Sequence, residues 1–232
     1  MILEELAALT RNRVAEEKKK IPADEMRRMA ESLPVTGTFP FGKALRTPGL
    51  SFICEVKKAS PSKGLIAPDF PYLQIAREYE QAGASAISVL TEPYRFLGSD
   101  QYLQEIAQSV NIPVLRKDFT VDSYMIDQAK TLGASAVLLI CSILDDGAIR
   151  EYMAQARELG LSALVEAHDA KEVERALAAG ASILGVNNRD LRTFQVDVNN
   201  SVRLRAMVPP EIVFVSESGI RGPEDTNVLY EN

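Results

Sequence analysis

Phe52-Ile-Cys-Glu-Val-Lys-Lys-Ala-Ser-Pro-Ser-Lys-Gly64 is the stretch from which the rest of the chain is read. Phe52, Ile53, Cys54 and Val56 supply the apolar and β-branched side chains of a strand. Ser60-Pro-Ser-Lys-Gly64 supplies the residues of a turn. Glu55 and Lys57 interrupt the apolar run two positions apart, so a strand carries both on one face. A buried parallel strand is nearly all apolar. A carboxylate and an ammonium within one are costly unless they pair, hydrogen-bond or do chemistry. Taken alone, the pair fits a structural salt bridge as well as a functional site.

The same anomaly recurs along the chain. After residue 51 short apolar runs at 52–57, 86–91, 113–117, 136–142, 163–167, 183–187 and 212–216 alternate with amphipathic stretches at 73–82, 103–110, 123–132, 146–159, 170–179 and 200–207. Strands alternating with helical patterns imply βαβ units and a parallel sheet. An internal repeat supports this: Gln81-Ala-Gly-Ala-Ser-Ala86, Thr131-Leu-Gly-Ala-Ser-Ala136 and Ala178-Ala-Gly-Ala-Ser-Ile183 share one form. In each, the glycine stands where a helix ends in the left-handed conformation, and a strand follows. Seven such units with short connections favour a (β/α)₈ barrel over a doubly wound sheet. No Gly-x-Gly-x-x-Gly follows the first run, which weakens a dinucleotide-binding reading.

Size and composition allow this. A 232-residue chain with 46% hydrophobic and 25% charged residues can bury a large core without disulfides. The net charge of −6 argues against a general nucleic-acid binder. Cys54 and Cys141 lie inside apolar runs and read as small buried hydrophobes in a reducing compartment. His168 is the only histidine and no paired-Cys spacing exists, so no metal is expected. The charged start of the chain lacks an apolar signal core, and no run reaches the ~20 apolar residues of a membrane span. A cytoplasmic protein without a membrane partner is expected. Residues 2–20 and a short stretch from Pro22 are helical in pattern, and the Gly- and Pro-containing segment 34–48 holds Phe39, Phe41 and Leu45, which should pack down.

A barrel brings the C-terminal ends of its strands to one mouth, where active sites lie. Here those ends carry Glu55, Lys57 and Ser60; Thr91-Glu-Pro-Tyr-Arg-Phe96; Arg116-Lys-Asp-Phe119; Cys141 and Ser142; Glu166; Asn187-Asn-Arg-Asp190; and Ser216-Glu-Ser-Gly219. Each has a dull explanation: a solvated lysine, a helix cap, a local pair. Together they make an acid–base site with room for an anion, since opposed charges in a partly dry pocket move pKa values toward working pH. His168 reads as a helix-start or surface residue. Phe96, Phe119, Leu138 and Leu191 near the rim would wall an aromatic group, or serve as plain core.

These motifs resemble the indole-3-glycerol phosphate synthase family over nearly the whole length. The residues that carry the resemblance are Glu55-Val-Lys-Lys-Ala-Ser-Pro-Ser62, Leu90-Thr-Glu92 with Phe96, Pro113-Val-Leu-Arg-Lys-Asp-Phe119, Leu164-Val-Glu166, Gly185-Val-Asn-Asn-Arg-Asp-Leu191 and Ser216-Glu-Ser-Gly-Ile220. The resemblance implies a tryptophan-pathway carboxy-lyase acting on 1-(2-carboxyphenylamino)-1-deoxyribulose 5-phosphate without cofactor or metal. It implies residues 1–50 as a helical extension over the mouth and 51–232 as one barrel domain. It assigns Lys117 as general acid, Glu166 as acid/base partner and Lys57 as anion and phosphate binder with a share in the acid role. Glu55 and Asn187 would orient the reacting centre. Arg189 would hold Asn187 and Glu55 or meet the substrate carboxylate. Ser60 would lie by the substrate with Glu217 in support, Phe96, Phe119, Leu138 and Leu191 would wall the anthranilate ring, and Ser218 and Gly219 would belong to the phosphate cradle. A monomer is expected.

Against that pattern the chain runs from Gly222-Pro-Glu-Asp225 to Asn232 without an eighth apolar run or a second Gly-rich phosphate turn. The expectation is an open barrel edge. It could reflect a shortened form, pairing with another copy, or completion by a separate segment. Impaired catalysis is expected of such a form, and an alternative role is that of a non-catalytic fragment or assembly partner. The isomerase of the preceding pathway step is the rival enzyme, which the first and third motifs disfavour.

Overall fold

The structure is a computed structural model that describes residues 2–190 and 193–231. The chain opens with α1 (Ile2–Lys20), α2 (Ala23–Glu31) and the short α3 (Pro40–Ala44). Then β1 (Ile53–Val56) leads into a two-stranded antiparallel hairpin of β2 (Ala59–Ser60) and β3 (Gly64–Leu65). From there helices and strands alternate: α4 (Tyr72–Gln81), β4 (Ala86–Leu90), α5 (Asp100–Ser109), β5 (Val114–Lys117), α6 (Tyr124–Thr131), β6 (Ala136–Ile140), α7 (Asp146–Glu158), β7 (Ser162–Ala167), α8 (Ala170–Ala178), β8 (Ile183–Asn187), α9 (Asn199–Arg205), β9 (Val213–Glu217) and α10 (Pro223–Glu231).

Seven strands form one parallel sheet in chain order, β1-β4-β5-β6-β7-β8-β9, with a helix in every crossover. This is the expected barrel-type α/β architecture. Among the described residues β1 is hydrogen-bonded only to β4 and β9 only to β8. The strands differ from the runs read in the sequence by one or two residues at their ends. Phe52 falls just outside β1: its carbonyl accepts from Ser85 N–H at 2.9 Å, yet its side chain is 46% exposed. Gly83, Gly133 and Gly180 of the repeated motif have φ of 91°, 83° and 89°, so each does supply the left-handed residue that ends a helix.

Alternation sorts the side chains. Val56, Ile87, Val89, Val114, Val137, Leu139, Val165, Leu184 and Val186 face the helices in one core cluster. Ile53, Ala86, Leu115, Leu138, Ile140, Leu164, Ile183, Val213 and Val215 face inward in a second. That second cluster joins β1, β6 and β9, which are far apart in sheet order, so the sheet is curled around it. Phe41 of α3 is fully buried in the inner cluster, as expected of segment 34–48, and Gly42 N–H donates to Ser162 Oγ at the start of β7 at 3.3 Å. Among the described residues no helix is long and apolar enough to cross a membrane.

Candidate active site

The inward phase that places Leu115 in the core brings Lys117, two residues on, to the mouth at the end of β5. Leu164 and Glu166 on β7, and Ile183 and Asn187 on β8, follow the same phase, as do Val215 and Glu217 on β9. The Lys117 ammonium donates to Glu166 Oε2 at 3.2 Å and to Glu217 Oε2 at 3.2 Å. Asn187 Nδ2 donates to Glu166 Oε1 at 3.2 Å. The Asn187 amide is held in that orientation because its Oδ1 accepts from Arg189 N–H at 3.0 Å. On β1 the Lys57 ammonium meets Glu55 Oε1 at 2.5 Å, so the two charges that broke the apolar run do share a face and do pair.

All of these groups line one cavity of about 510 Å³, together with Ser60, Phe96, Phe119, Leu138, Arg189, Ser218 and Gly219. The rings of Phe96 and Phe119 stand 6.2 Å apart at 49° and form one wall. Ser218 and Gly219 both have positive φ, 70° and 88°. Strain at a non-glycine residue persists where surroundings enforce it. Here Asn188 enforces it: its Nδ2 donates to Ser216 Oγ at 2.9 Å and to the Ser218 carbonyl at 3.2 Å.

The electrostatics follow from burying one ammonium among carboxylates. Burial disfavours the charged form of Lys117, but Glu166, Glu217 and Glu55 outweigh it and hold the ammonium protonated, well above the ordinary lysine range. Burial likewise opposes ionisation of Glu166, and Lys117 with His168 overrides it, so that carboxylate lies below its usual range. Glu217 goes the other way. Burial, aided by the neighbouring Glu166 charge, outweighs Lys117 and pushes it up to about 7. Two carboxylates around one lysine are therefore not equivalent. Burial, with the Glu172 carboxylate adding to it, pushes the Cys141 thiol up to about 12, consistent with an inert core cysteine.

Several readings need correcting. Glu217, expected in support of Ser60, touches Lys117 directly. The signal for it was Gly185, in the middle of β8, where a Cβ would collide with Glu217 Oε1. The Arg189 guanidinium donates to the Phe194 carbonyl at 3.3 Å, and it is the Arg189 backbone N–H that holds Asn187. Leu191 lies outside the described residues. Glu92, quoted among the motifs, is fully buried and accepts the N–H groups of Tyr94, Arg95 and Phe96 at 2.8, 2.8 and 2.9 Å, shaping the loop that presents Phe96.

His168 reads from the sequence as a helix-start or surface residue, yet its Nε2 lies 3.3 Å from Glu166 Oε1. Helix α1 reaches the same cavity. Ile2, Leu3 and Leu6 line the cavity. Arg13 donates to Asp118 Oδ2 at 2.8 Å, beside Lys117 in sequence. No periodicity marks such a contact across 105 positions. Among the described residues no three His, Cys, Asp or Glu side chains converge as metal ligands.

Comparison with known proteins agrees with this geometry. Residues 3–232 match the family model for indole-3-glycerol phosphate synthase. An indole-3-glycerol phosphate synthase of Ruminiclostridium cellulolyticum is 56% identical over 229 residues, covering 99% of this chain and 88% of the relative. One from Endomicrobium trichonymphae is 53% identical over 232 residues, covering 100% of this chain and 90% of the relative. Among solved structures, the N-acetylmannosamine-6-phosphate 2-epimerase of Clostridium perfringens superposes with a TM-score of 0.59 at 13% identity, over 78% of this chain and 82% of that one, a likeness of fold alone.

Proposed function

The chain belongs to the indole-3-glycerol phosphate synthase family, and from that premise we propose how its residues carry out ring closure, decarboxylation and dehydration of 1-(2-carboxyphenylamino)-1-deoxyribulose 5-phosphate. The observation that carries the reading is the Lys117 ammonium held between Glu166 and Glu217 in a cavity walled by Phe96 and Phe119. The family match favours a synthase over a non-catalytic fragment.

Lys117 is the general acid. It gives its proton to the ketone oxygen as the ring carbon attacks, and the surrounding carboxylates keep it charged until then. Loss of carbon dioxide then restores the aromatic ring, a step for which the protein supplies mainly position. Glu166 takes the proton from the adjacent carbon as hydroxide leaves as water. Its depressed pKa keeps it ionised and ready as a base. Asn187 aims the Glu166 carboxylate. Glu55 holds Lys57, which meets the anionic groups of the substrate and shares in proton donation. Ser60 and Arg189 border the substrate, and Phe96, Phe119 and Leu138 sandwich the anthranilate ring. Lys57, Ser218 and Gly219 bind the phosphate, the last two through backbone held at positive φ.

We assign residues 51–232 as the barrel and 1–50 as a helical extension over its mouth. The lining of the cavity by Ile2, Leu3 and Leu6 supports that. One chain acting as a monomer supplies every group named. The test follows indole-3-glycerol phosphate fluorescence on adding the substrate to the wild-type chain and to Lys117→Met and Glu166→Gln. Turnover lost in both variants, with substrate still bound, supports the reading; turnover retained in either removes that residue from its role.

A further inference from the structure

We infer that His168 is a positioning residue for Glu166 and the conduit by which a proton reaches it from Glu172 and solvent. The inference rests on the reading of Glu166 as the base of this site.

The geometry is that of an imidazole strung between two carboxylates. His168 Nε2 lies 3.3 Å from Glu166 Oε1 and Nδ1 lies 3.1 Å from Glu172 Oε2. Nε2 is buried and makes no hydrogen bond in this arrangement, and the carboxylate beside it is Glu166, 3.3 Å away. The residue is fixed from two further sides. Its backbone N–H donates to Glu172 Oε2 at 2.8 Å, and its carbonyl accepts from Asn200 Nδ2 on α9 at 3.1 Å. The charged and titratable groups around the ring are Glu166 on β7, Glu172 on α8, and Glu217 on β9, which adds its field from across the mouth. Lys117 on β5 lies beyond Glu166. Ser142 Oγ, after β6, lies 3.5 Å from Nδ1. Arg175, also on α8, is turned away to Asp146 and to the carbonyls of Cys141 and Leu144. Burial works against a charged ring here, and Glu172 and Glu166 more than offset it.

The proton balance gives the conduit a task. Ring closure moves one proton onto the ketone oxygen, and expulsion of water needs a second on the same oxygen. Breaking the bond to the carboxyl carbon releases carbon dioxide and leaves its electron pair in the ring. Glu166 recovers only one proton from carbon and can hand it to Lys117 across 3.2 Å. One proton per turnover must therefore come from outside. An imidazole that accepts a proton at Nδ1, on the Glu172 side, and releases one from Nε2 to Glu166 supplies it.

The experiment measures kcat and KM against pH, and the solvent deuterium isotope effect, for wild-type, His168→Gln, His168→Ala, Glu172→Gln and Glu166→Gln chains. We expect His168→Gln to lower kcat about tenfold with KM little changed, to alter the pH profile of kcat, and to enlarge the isotope effect. Added imidazole should restore part of the His168→Ala activity, and Glu172→Gln should show a weaker form of the same change. Wild-type pH profile and isotope effect in His168→Gln overturn the inference. So does a loss of activity in His168→Ala that imidazole leaves unrelieved while the pH profile keeps its shape. If the His168 variants do not fold, Glu172→Gln decides by the same readouts. Full turnover in Glu166→Gln overturns instead the reading of Glu166 itself.

Discussion

Lys117 and Glu217 stand 100 positions apart in sequence and four strands apart in the sheet, yet their side chains meet at 3.2 Å. Four strands of a flat sheet would hold them roughly 19 Å apart. The contact is thus a direct consequence of curvature: the site exists because β5 and β9 look at each other across the mouth.

Replacing Lys117 with Met removes the proposed acid while keeping most of the side-chain volume. We expect kcat to fall by about 10²–10⁴-fold with a much smaller change in substrate affinity. Single-turnover fluorescence separates the two effects. Unchanged kcat would assign the proton donation elsewhere, with Lys57 the next candidate.

Gly185→Ala tests Glu217 without touching a charged group. The new methyl would occupy the place of Glu217 Oε1 and expel that carboxylate from Lys117. We expect a folded chain with kcat reduced on the order of tenfold or more, since displaced catalytic geometry is costly. A crystal structure with Glu217 unmoved and normal turnover would refute this.

Glu217 should also leave a signature in stability. Its folded-state pKa of about 7 is above its ordinary value of 4.5, so the folded state binds the proton more tightly than the unfolded one. Its contribution is complete below about pH 4.5 and is lost as the pH rises through about 7. Urea unfolding of Glu217→Gln should therefore show a shallower decline over that window than wild type. Parallel curves would mean that Lys117 keeps Glu217 ionised.

The Arg13–Asp118 pair ties α1 to the residue next to Lys117. Asp118 is buried, which opposes its charge, but Arg13 and Arg116 outweigh this and hold its pKa below the usual carboxylate range. Such a group stabilises the fold above its ordinary pKa and loses that contribution as the pH falls through the depressed one. Arg13→Ala should cost about 3 kcal/mol at neutral pH, the low end for uncovering a buried charge, since Arg116 remains 3.8 Å away. Denaturant titration measures it. A cost under about 0.5 kcal/mol would class the pair with surface ion pairs.

Phe96→Ala should raise KM more than it lowers kcat, because the ring wall binds ground and transition states alike. A fall in kcat at constant KM would mean that Phe96 instead positions the reacting carbon.

The seven strands, their parallel order and their helices were legible in the amino-acid sequence, because period-two apolar runs, helical stripes and a repeated Gly-Ala-Ser ending are local signals. So were Lys57, Lys117, Glu166 and Asn187, charged or polar side chains placed where a buried strand should be apolar. Three things needed the tertiary structure. Glu217 became a partner of Lys117 only through the curl of the sheet. His168 follows Glu166 at a strand end, where the phase of the alternation no longer says which way a ring turns, and Glu172, in the first turn of α8, turned it inward. Arg13 reaches Asp118 because α1 folds back over 105 positions of chain. Local sequence decides which side chains share a face; which faces then meet depends on how the elements pack, and long-range contacts carry no periodic mark.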